Sequence, residues 1–268
     1  MPSKFERLLQ ILGEMNGAVI AFSGGVDSTF LVAAAKQALG NRVLAVIGRS
    51  PLHPKAEHLE ALELAGSLDV RVQVVNTREL EDSAFCANPE NRCAICKEMI
   101  MRAILTLAEK ARIDNVLDGS NVDDLGDYRP GLEAAHNLGV RSPLIEAGLG
   151  KKDIRQFSRK MGLVTWNKPS MACLASRIPY GEEINEAKLA RIERAEALVR
   201  AIGITQLRVR DHGTVARIEL LPEEIPKVVE PKKRKKLVAS IKSCGYSYVC
   251  LDLDGYRTGS MNETLADE

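Results

Sequence analysis

The chain has 268 residues, 45% hydrophobic and 27% charged, with 37 Lys and Arg against 36 Asp and Glu. That length supports one large core, or a medium domain with a small one, and a net charge of +1 gives no overall pull towards nucleic acid or a membrane surface. No run reaches the ~18 apolar residues needed to cross a bilayer, and Lys4, Glu6 and Arg7 stand where a signal peptide's apolar stretch would begin.

The protein is therefore expected in the cytoplasm. Its six cysteines, at 86, 93, 96, 173, 244 and 250, are then expected as thiols, metal ligands or catalytic groups rather than disulfides.

In chain order, strand-like runs at 18–22, 43–48, 70–76, 115–118 and 141–144 alternate with helical patterns at 28–39, 54–67, 97–111 and 151–161. Short β-branched runs between amphipathic helices predict a doubly wound α/β layer with a parallel sheet. Such folds bind ligands beyond the carboxyl ends of their strands. Ser23-Gly24-Gly25-Val26-Asp27-Ser28 falls there, after the first strand and at the opening of a helix.

Gly24 and Gly25 let backbone N–H groups approach an anion. The helix behind them turns its positive dipole end towards it, and Ser23 and Ser28 add hydroxyls. A P-loop carries a lysine for γ-phosphoryl transfer. Here Asp27 stands instead, which suits a Mg²⁺ or Mn²⁺ ion between it and the phosphates of ATP.

The pattern changes after Pro169. A helix at 185–202, strands at 206–211 and 214–221 joined by His212-Gly213, a helix at 231–243 and a strand at 248–252 predict a small α+β domain of ferredoxin-like character. The expected domains are 1–170 and 180–268. The run Lys232 to Lys236 reads as a solvated helix face. The tail "RTGSMNETLADE" is polar.

The S-G-G-x-D-S stretch in its strand–helix context resembles the pyrophosphate loop of the ATP pyrophosphatases. That likeness implies a PP-loop (adenine nucleotide alpha hydrolase-like) fold and cleavage between the α- and β-phosphates, with pyrophosphate leaving. "DGSNVDDLGDYRPG" (118–131), "MACLASRIPYGEEI" (171–184) and "LDLDGYRTGSMNE" (251–263) together resemble the LarE family across essentially the whole chain. The resemblance implies an ATP-dependent sulfurtransferase in nickel-pincer nucleotide synthesis for lactate racemase maturation. Its reaction adenylates a carboxylate of pyridinium-3,5-biscarboxylic acid mononucleotide, and sulfur then displaces AMP. It also implies a small-molecule nucleotide substrate, nickel-pincer biosynthesis proteins as partners and a homo-oligomer. A tRNA thiolase is the competing reading; the near-neutral charge and the lack of a basic, aromatic-studded surface argue against nucleic acid.

Site residues follow position by position. Ser23, Gly24, Gly25, Asp27 and Ser28 would hold the phosphates; Asn121, Asp124 and Arg129, after the "LDGSN" strand end, would contact the nucleotide. Cys173 is the expected sulfur site, with Arg177 close in sequence to lower its pKa. In the family's single-cysteine branch the matching cysteine gives up its sulfur and becomes dehydroalanine.

This chain departs from that branch: "NRCAICKE" puts Cys93 and Cys96 in C-x-x-C spacing just before a helix. The pair reads as half a zinc site, a redox pair or two helix-start cysteines without a role. With Cys173 it makes three thiolates, enough for a [4Fe–4S] cluster with one iron open to hydrosulfide. Structural zinc needs a fourth ligand, for which Cys86 is a poorly placed candidate. Cys244 and Cys250 read as core residues. Arg208 and Arg210 alternate on a strand and so share a face, which suits a substrate phosphate or carboxylate. Glu196 and Glu219 are candidate ligands for a divalent cation, and Asp252 and Asp254 read as edge-strand charges.

Overall fold

The computed structural model describes residues 2–126, 130–169 and 172–257. Its chain forms two compact units, one of residues 1–85 and 90–171, the other of 86–89 and 172–268.

The first unit runs α1 (Lys4–Gly13), β1 (Ala18–Ala21), α2 (Val26–Leu39), β2 (Val43–Arg49), α3 (Lys55–Ser67), β3 (Arg71–Asn76), α4 (Ser83–Cys86), α5 (Arg92–Ala111), β4 (Val116–Leu117), α6 (Pro130–Asn137), α7 (Pro143–Glu146) and α8 (Lys151–Lys160). Its strands form a parallel sheet in the order β3-β2-β1-β4. Successive residues of β1 serve opposite faces. Ala18 and Ile20 join the core under α2 and α8, while Val19 joins Met101, Ile104 and Ala108 of α5. A strand buried on both faces reads as a continuous apolar run, the signature that predicted it. Phe5, Phe30 and Phe157 stack α1, α2 and α8 together.

Three local expectations change. The strand expected at 141–144 is a single parallel bridge, Leu117 to Arg141. Pro143, with its fixed φ and no N–H, instead opens α7. The strand expected at 115–118 is paired only over Val116–Leu117. α5 begins at Arg92 rather than at 97, with the Ala94 and Ile95 N–H groups bonding to the Asn91 carbonyl, so Cys93 and Cys96 lie inside the helix, not ahead of it.

The second unit contains α9 (Glu186–Arg200), β5 (Leu207–His212), β6 (Val215–Leu220), α10 (Ile225–Val229), α11 (Pro231–Lys242) and β7 (Tyr248–Leu251). β5 and β6 are antiparallel, β6 and β7 parallel. The hairpin turn is Gly213-Thr214, one residue later than expected, because His212 still pairs with Val215. The core joins Ala195 and Val199 of α9, Val209 and Ile218 of the sheet, and Leu237 and Ile241 of α11. Asp211, fully buried, accepts three hydrogen bonds from Arg191 and one from the Tyr246 hydroxyl. Burial and that carboxylate push the Tyr246 phenol well above its usual range. Cys244 is buried as expected. Cys250 is exposed, because alternate residues of β7 face outward.

Residues 86–89 are stitched into this second unit. Asn88, fully buried at φ 56°, donates from its side chain to the Ile178 and Pro179 carbonyls, and its own carbonyl accepts from the Gly181 N–H. No described helix is long and apolar enough to cross a membrane.

Asn88→Ala removes both side-chain donors and replaces asparagine, which tolerates the left-handed region, with alanine, which does so less well. The expected cost is about 2–3 kcal/mol, read as a lower urea midpoint with an unchanged m-value.

Candidate functional site

The loop at 23–28 lies between β1 and α2. Gly24 sits at φ 69°, and a β-carbon there would come within 3.0 Å of the Ala61 side chain on α3. Glycine is thus required both by the turn and by the helix packed against it. The Ser23 and Ser28 hydroxyls are 3.1 Å apart, Ser28 Oγ accepts from the Ser23 N–H, and Ser23 Oγ accepts from the Gly25 N–H. These bonds hold the loop in shape without a ligand. Gly25 caps α2 with no side-chain hydrogen bond, so the positive end of the helix is not answered from within the loop.

A cavity of about 420 Å³ opens here, lined by Ser23, Asp27, Ser28, Lys97, Asp118 and Lys151 among others. Asp27 is mostly buried, and burial raises its pKa; Lys151, hydrogen-bonded to Oδ2, works in the opposite direction. Asp27 Oδ1 is buried with no hydrogen-bond partner. An orphaned carboxylate oxygen facing phosphate-binding geometry fits a hard divalent cation.

The lysine that the loop lacks is supplied from elsewhere. Lys151 opens α8 and pairs with Asp27. Lys168 donates to the Gly24 carbonyl at 3.1 Å and pairs with Glu60. Arg155 also lines the cavity. These three went unread in the sequence; the available signal was Gly150-Lys151 at a helix start following an apolar segment.

Lys97 pairs with the buried Asp118 at 2.8 Å. Burial alone would raise the Asp118 pKa, but Lys97, Ser142 and the Ser120 N–H outweigh it and hold it low. Asn121 and Asp124 close a turn after β4: the Asn121 N–H bonds to Asp124 Oδ2, and Asn121 Oδ1 accepts from the Asp123 N–H. The Asn121 Nδ2 is buried without a partner. Arg129 lies outside the described residues.

In the same unit, Cys93 is exposed and Cys96 is half-buried, its thiol 3.8 Å from Glu79. Among the described residues, no three His, Cys, Asp or Glu side chains gather where they could hold a metal. Two thiols of one unit do not by themselves fit a cluster that needs three or four.

In the second unit, Cys173 precedes a short turn, 174–177, and its carbonyl accepts from Ser176 and Arg177. Arg177 is buried and reaches Glu196 at 2.8 Å. Its donors go to that carboxylate, to the Ser176 hydroxyl and to the Ala172 and Cys173 carbonyls. Glu196 also takes Arg200 and the Val209 N–H. Burial would raise the Glu196 pKa, but Arg177 and Arg200 overturn that and hold it low. Glu219 is held by Arg210 and Arg217. A cation at either glutamate would have to displace guanidinium groups, so as placed this pair does not fit a metal.

Arg208 differs from its neighbours. It is only 6% exposed, yet no carboxylate among the described residues pairs with it. It bonds to the Leu207 carbonyl and lies over the Tyr256 ring. Burial, then repulsion from Arg177, lowers its pKa. A buried cation left without a paired counter-charge is costly unless an anion arrives.

The two units define a nucleotide-binding PP-loop domain joined to an α+β unit rich in buried arginine. The NAD synthase family profile matches residues 7–113. The chain is 35% identical over 266 residues, 99% of its own length and 96% of the other, to pyridinium-3,5-bisthiocarboxylic acid mononucleotide synthase of Lactiplantibacillus plantarum. It is 43% identical over 265 residues, 99% of both chains, to an uncharacterized protein of Synechocystis sp.. The glutamine-hydrolyzing GMP synthase of Aeropyrum pernix is 28% identical over 201 residues, 68% of this chain and 39% of that one. The chain belongs to the LarE family of PP-loop enzymes and is an ATP-dependent sulfurtransferase.

Asp27 carries a raised pKa, so its charge opposes folding above its folded pKa, and the penalty fades as pH falls through the ordinary Asp range. Asp27→Asn is therefore expected to raise Tm at pH 7, with the gain vanishing near pH 3, by calorimetry across that range. Arg208→Met removes a buried cation that no described carboxylate pairs and is expected to stabilise the chain by about 1–3 kcal/mol in urea titration.

Proposed function

We propose that the protein adenylates a carboxylate of pyridinium-3,5-biscarboxylic acid mononucleotide and replaces the AMP with sulfur. The observation that carries the substrate half of this reading is Arg208, a buried guanidinium with which no described carboxylate of its own unit pairs. Arg210 donates to the Ser176 carbonyl, three residues beyond Cys173, so the cationic face and the expected sulfur site share one local fold. A phosphate- and carboxylate-bearing substrate supplies the missing negative charge.

In the first half-reaction a carboxylate oxygen attacks the α-phosphorus of ATP, and the bond to the β-phosphate oxygen breaks. Ser23, Gly24, Gly25 and Ser28 cradle the departing pyrophosphate through hydroxyl and backbone donors, against the positive end of α2. Lys151 and Lys168 add positive charge at the same loop. Asp27 would hold Mg²⁺ or Mn²⁺, whose charge lets an aspartate stand beside phosphate. Asn121 and Arg129 are assigned to the nucleotide, and Arg177, Arg208 and Arg210 to the substrate.

In the second half-reaction a sulfur nucleophile attacks the acyl carbon and AMP leaves with the bonding electrons. Where the Cys173 thiolate is that nucleophile, a thioester forms. Loss of the Cys173 α-proton then expels the thiocarboxylate, breaking the Cβ–S bond and leaving dehydroalanine. Cys93, Cys96 and Cys173 as ligands of a [4Fe–4S] cluster would be the competing source of sulfur. Nickel-pincer biosynthesis proteins as partners, homo-oligomeric assembly and a cytoplasmic setting belong to the same proposal.

Asp27→Ala is expected to lower substrate-dependent pyrophosphate release at least a hundredfold, measured by a coupled phosphate assay. Release at the parent rate would remove the loop from the mechanism. Anaerobic purification with iron assay and intact mass separates the sulfur sources. Sacrifice predicts a colourless protein losing about 34 mass units, one H₂S, at Cys173 after turnover. The cluster predicts brown protein with about four irons per chain.

A further inference from the structure

After β7 the chain continues along β6 in the same parallel sense: the Asp252 N–H bonds to the Ile218 carbonyl, and the Tyr256 N–H to the Leu220 carbonyl at 2.7 Å. Gly255 closes the turn between these two contacts, at φ 76°, its N–H bonding to the Asp252 carbonyl. A β-carbon there would lie 2.6 Å from the Leu220 carbonyl oxygen, closer than any side chain allows. The result is that the Tyr256 ring lies 5.1 Å from the Arg208 guanidinium carbon.

The second unit shows, among its described residues, three buried arginines. Arg177 and Arg210 are each met by a glutamate through two nitrogens. Arg208 is met by a ring. The difference is chemical. A carboxylate opposite Arg208 would neutralise it and occupy its N–H donors. An aromatic face offsets part of the charge through its quadrupole and occupies none of them. A side chain packed only for stability would need neither a charge that no described carboxylate meets nor a glycine turn to deliver the ring.

We infer that Tyr256 is a positioning residue of the substrate-anion site: its ring fixes the Arg208 guanidinium while leaving the N–H edge for a phosphate or carboxylate of the substrate. Gly255 and the Leu220 backbone set the ring's place. This rests on the assignment of Arg208 to the substrate.

The test uses the full chain and its Tyr256→Phe, Tyr256→Leu, Gly255→Ala and Arg208→Met variants. Inorganic phosphate is titrated calorimetrically with the loop filled by α,β-methylene ATP, so that only a second anion site reports. Pyrophosphate release is followed against the pyridinium biscarboxylate mononucleotide. Tyr256→Leu and Gly255→Ala are expected to weaken phosphate about tenfold and raise KM similarly, with kcat within about twofold; Tm stays within about 3 °C in Tyr256→Leu and falls further in Gly255→Ala, whose β-carbon meets the Leu220 carbonyl. Tyr256→Phe keeps the ring and should bind as the parent does. If Tyr256→Leu fails to fold, Gly255→Ala, which moves the ring without altering it, decides. Parent-like phosphate binding by Tyr256→Leu, with binding lost in Arg208→Met, overturns the role of Tyr256 and leaves the anion site standing. Parent-like binding in Arg208→Met overturns the anion site and this inference with it. A Tyr256→Phe variant as weak as Tyr256→Leu shifts the effect to the hydroxyl and also overturns it.

Discussion

Asp27 and Lys151 form the ion pair on which the nucleotide site depends. They lie 124 residues apart in sequence and meet because α2 and α8 pack on the same face of the parallel sheet. The pair resolves a conflict built into the loop. Phosphate binding wants positive charge at the start of α2, while holding a metal wants a carboxylate in the same place. Lys151 answers that carboxylate on one oxygen only; the other has no hydrogen-bond partner. The loop is thus pre-shaped by its serines and glycines but left electrostatically incomplete, which is how a site can bind ATP and metal together without first dismantling itself.

The second unit follows the same logic with the opposite sign. Glu196 and Glu219 are fully buried, and each is saturated by two arginines. Such arrangements are costly to create and more costly to break, and they fix the turn carrying Cys173 to α9 and the hairpin. The surplus appears at Arg208. Buried charge without a counter-charge is costly in a stable core, and a surplus among the described residues of an otherwise matched network is the ground for proposing that the partner is the substrate.

The layers of the fold could be read directly. β1 and β2 are apolar on both faces because helices cover both, and the alternation of such runs with amphipathic helices has few other solutions. The misreadings are local. The short run Arg141-Ser142-Pro143-Leu144 reads as a weak strand until Pro143 is weighed as a helix opener. Cys93 and Cys96 read as preceding a helix because the apolar period of α5 begins only after them.

Site chemistry divides along the same line. Ser23 to Ser28 were legible because six consecutive residues carry the whole motif, backbone and side chain together. Lys151 and Lys168 were not, since nothing in a lone lysine at a helix start names the carboxylate or carbonyl it will meet. Arg208 and Arg210 could be placed on one face by strand period alone, but alike. That Arg210 is neutralised and Arg208 is not depends on Glu219 reaching diagonally across the hairpin and on Gly255 turning the chain to bring Tyr256 over its neighbour. The sequence by itself determined the sheet, the phosphate loop and the family. Only the tertiary structure decided which charges are paired, because pairing is a matter of distance between residues far apart in the chain.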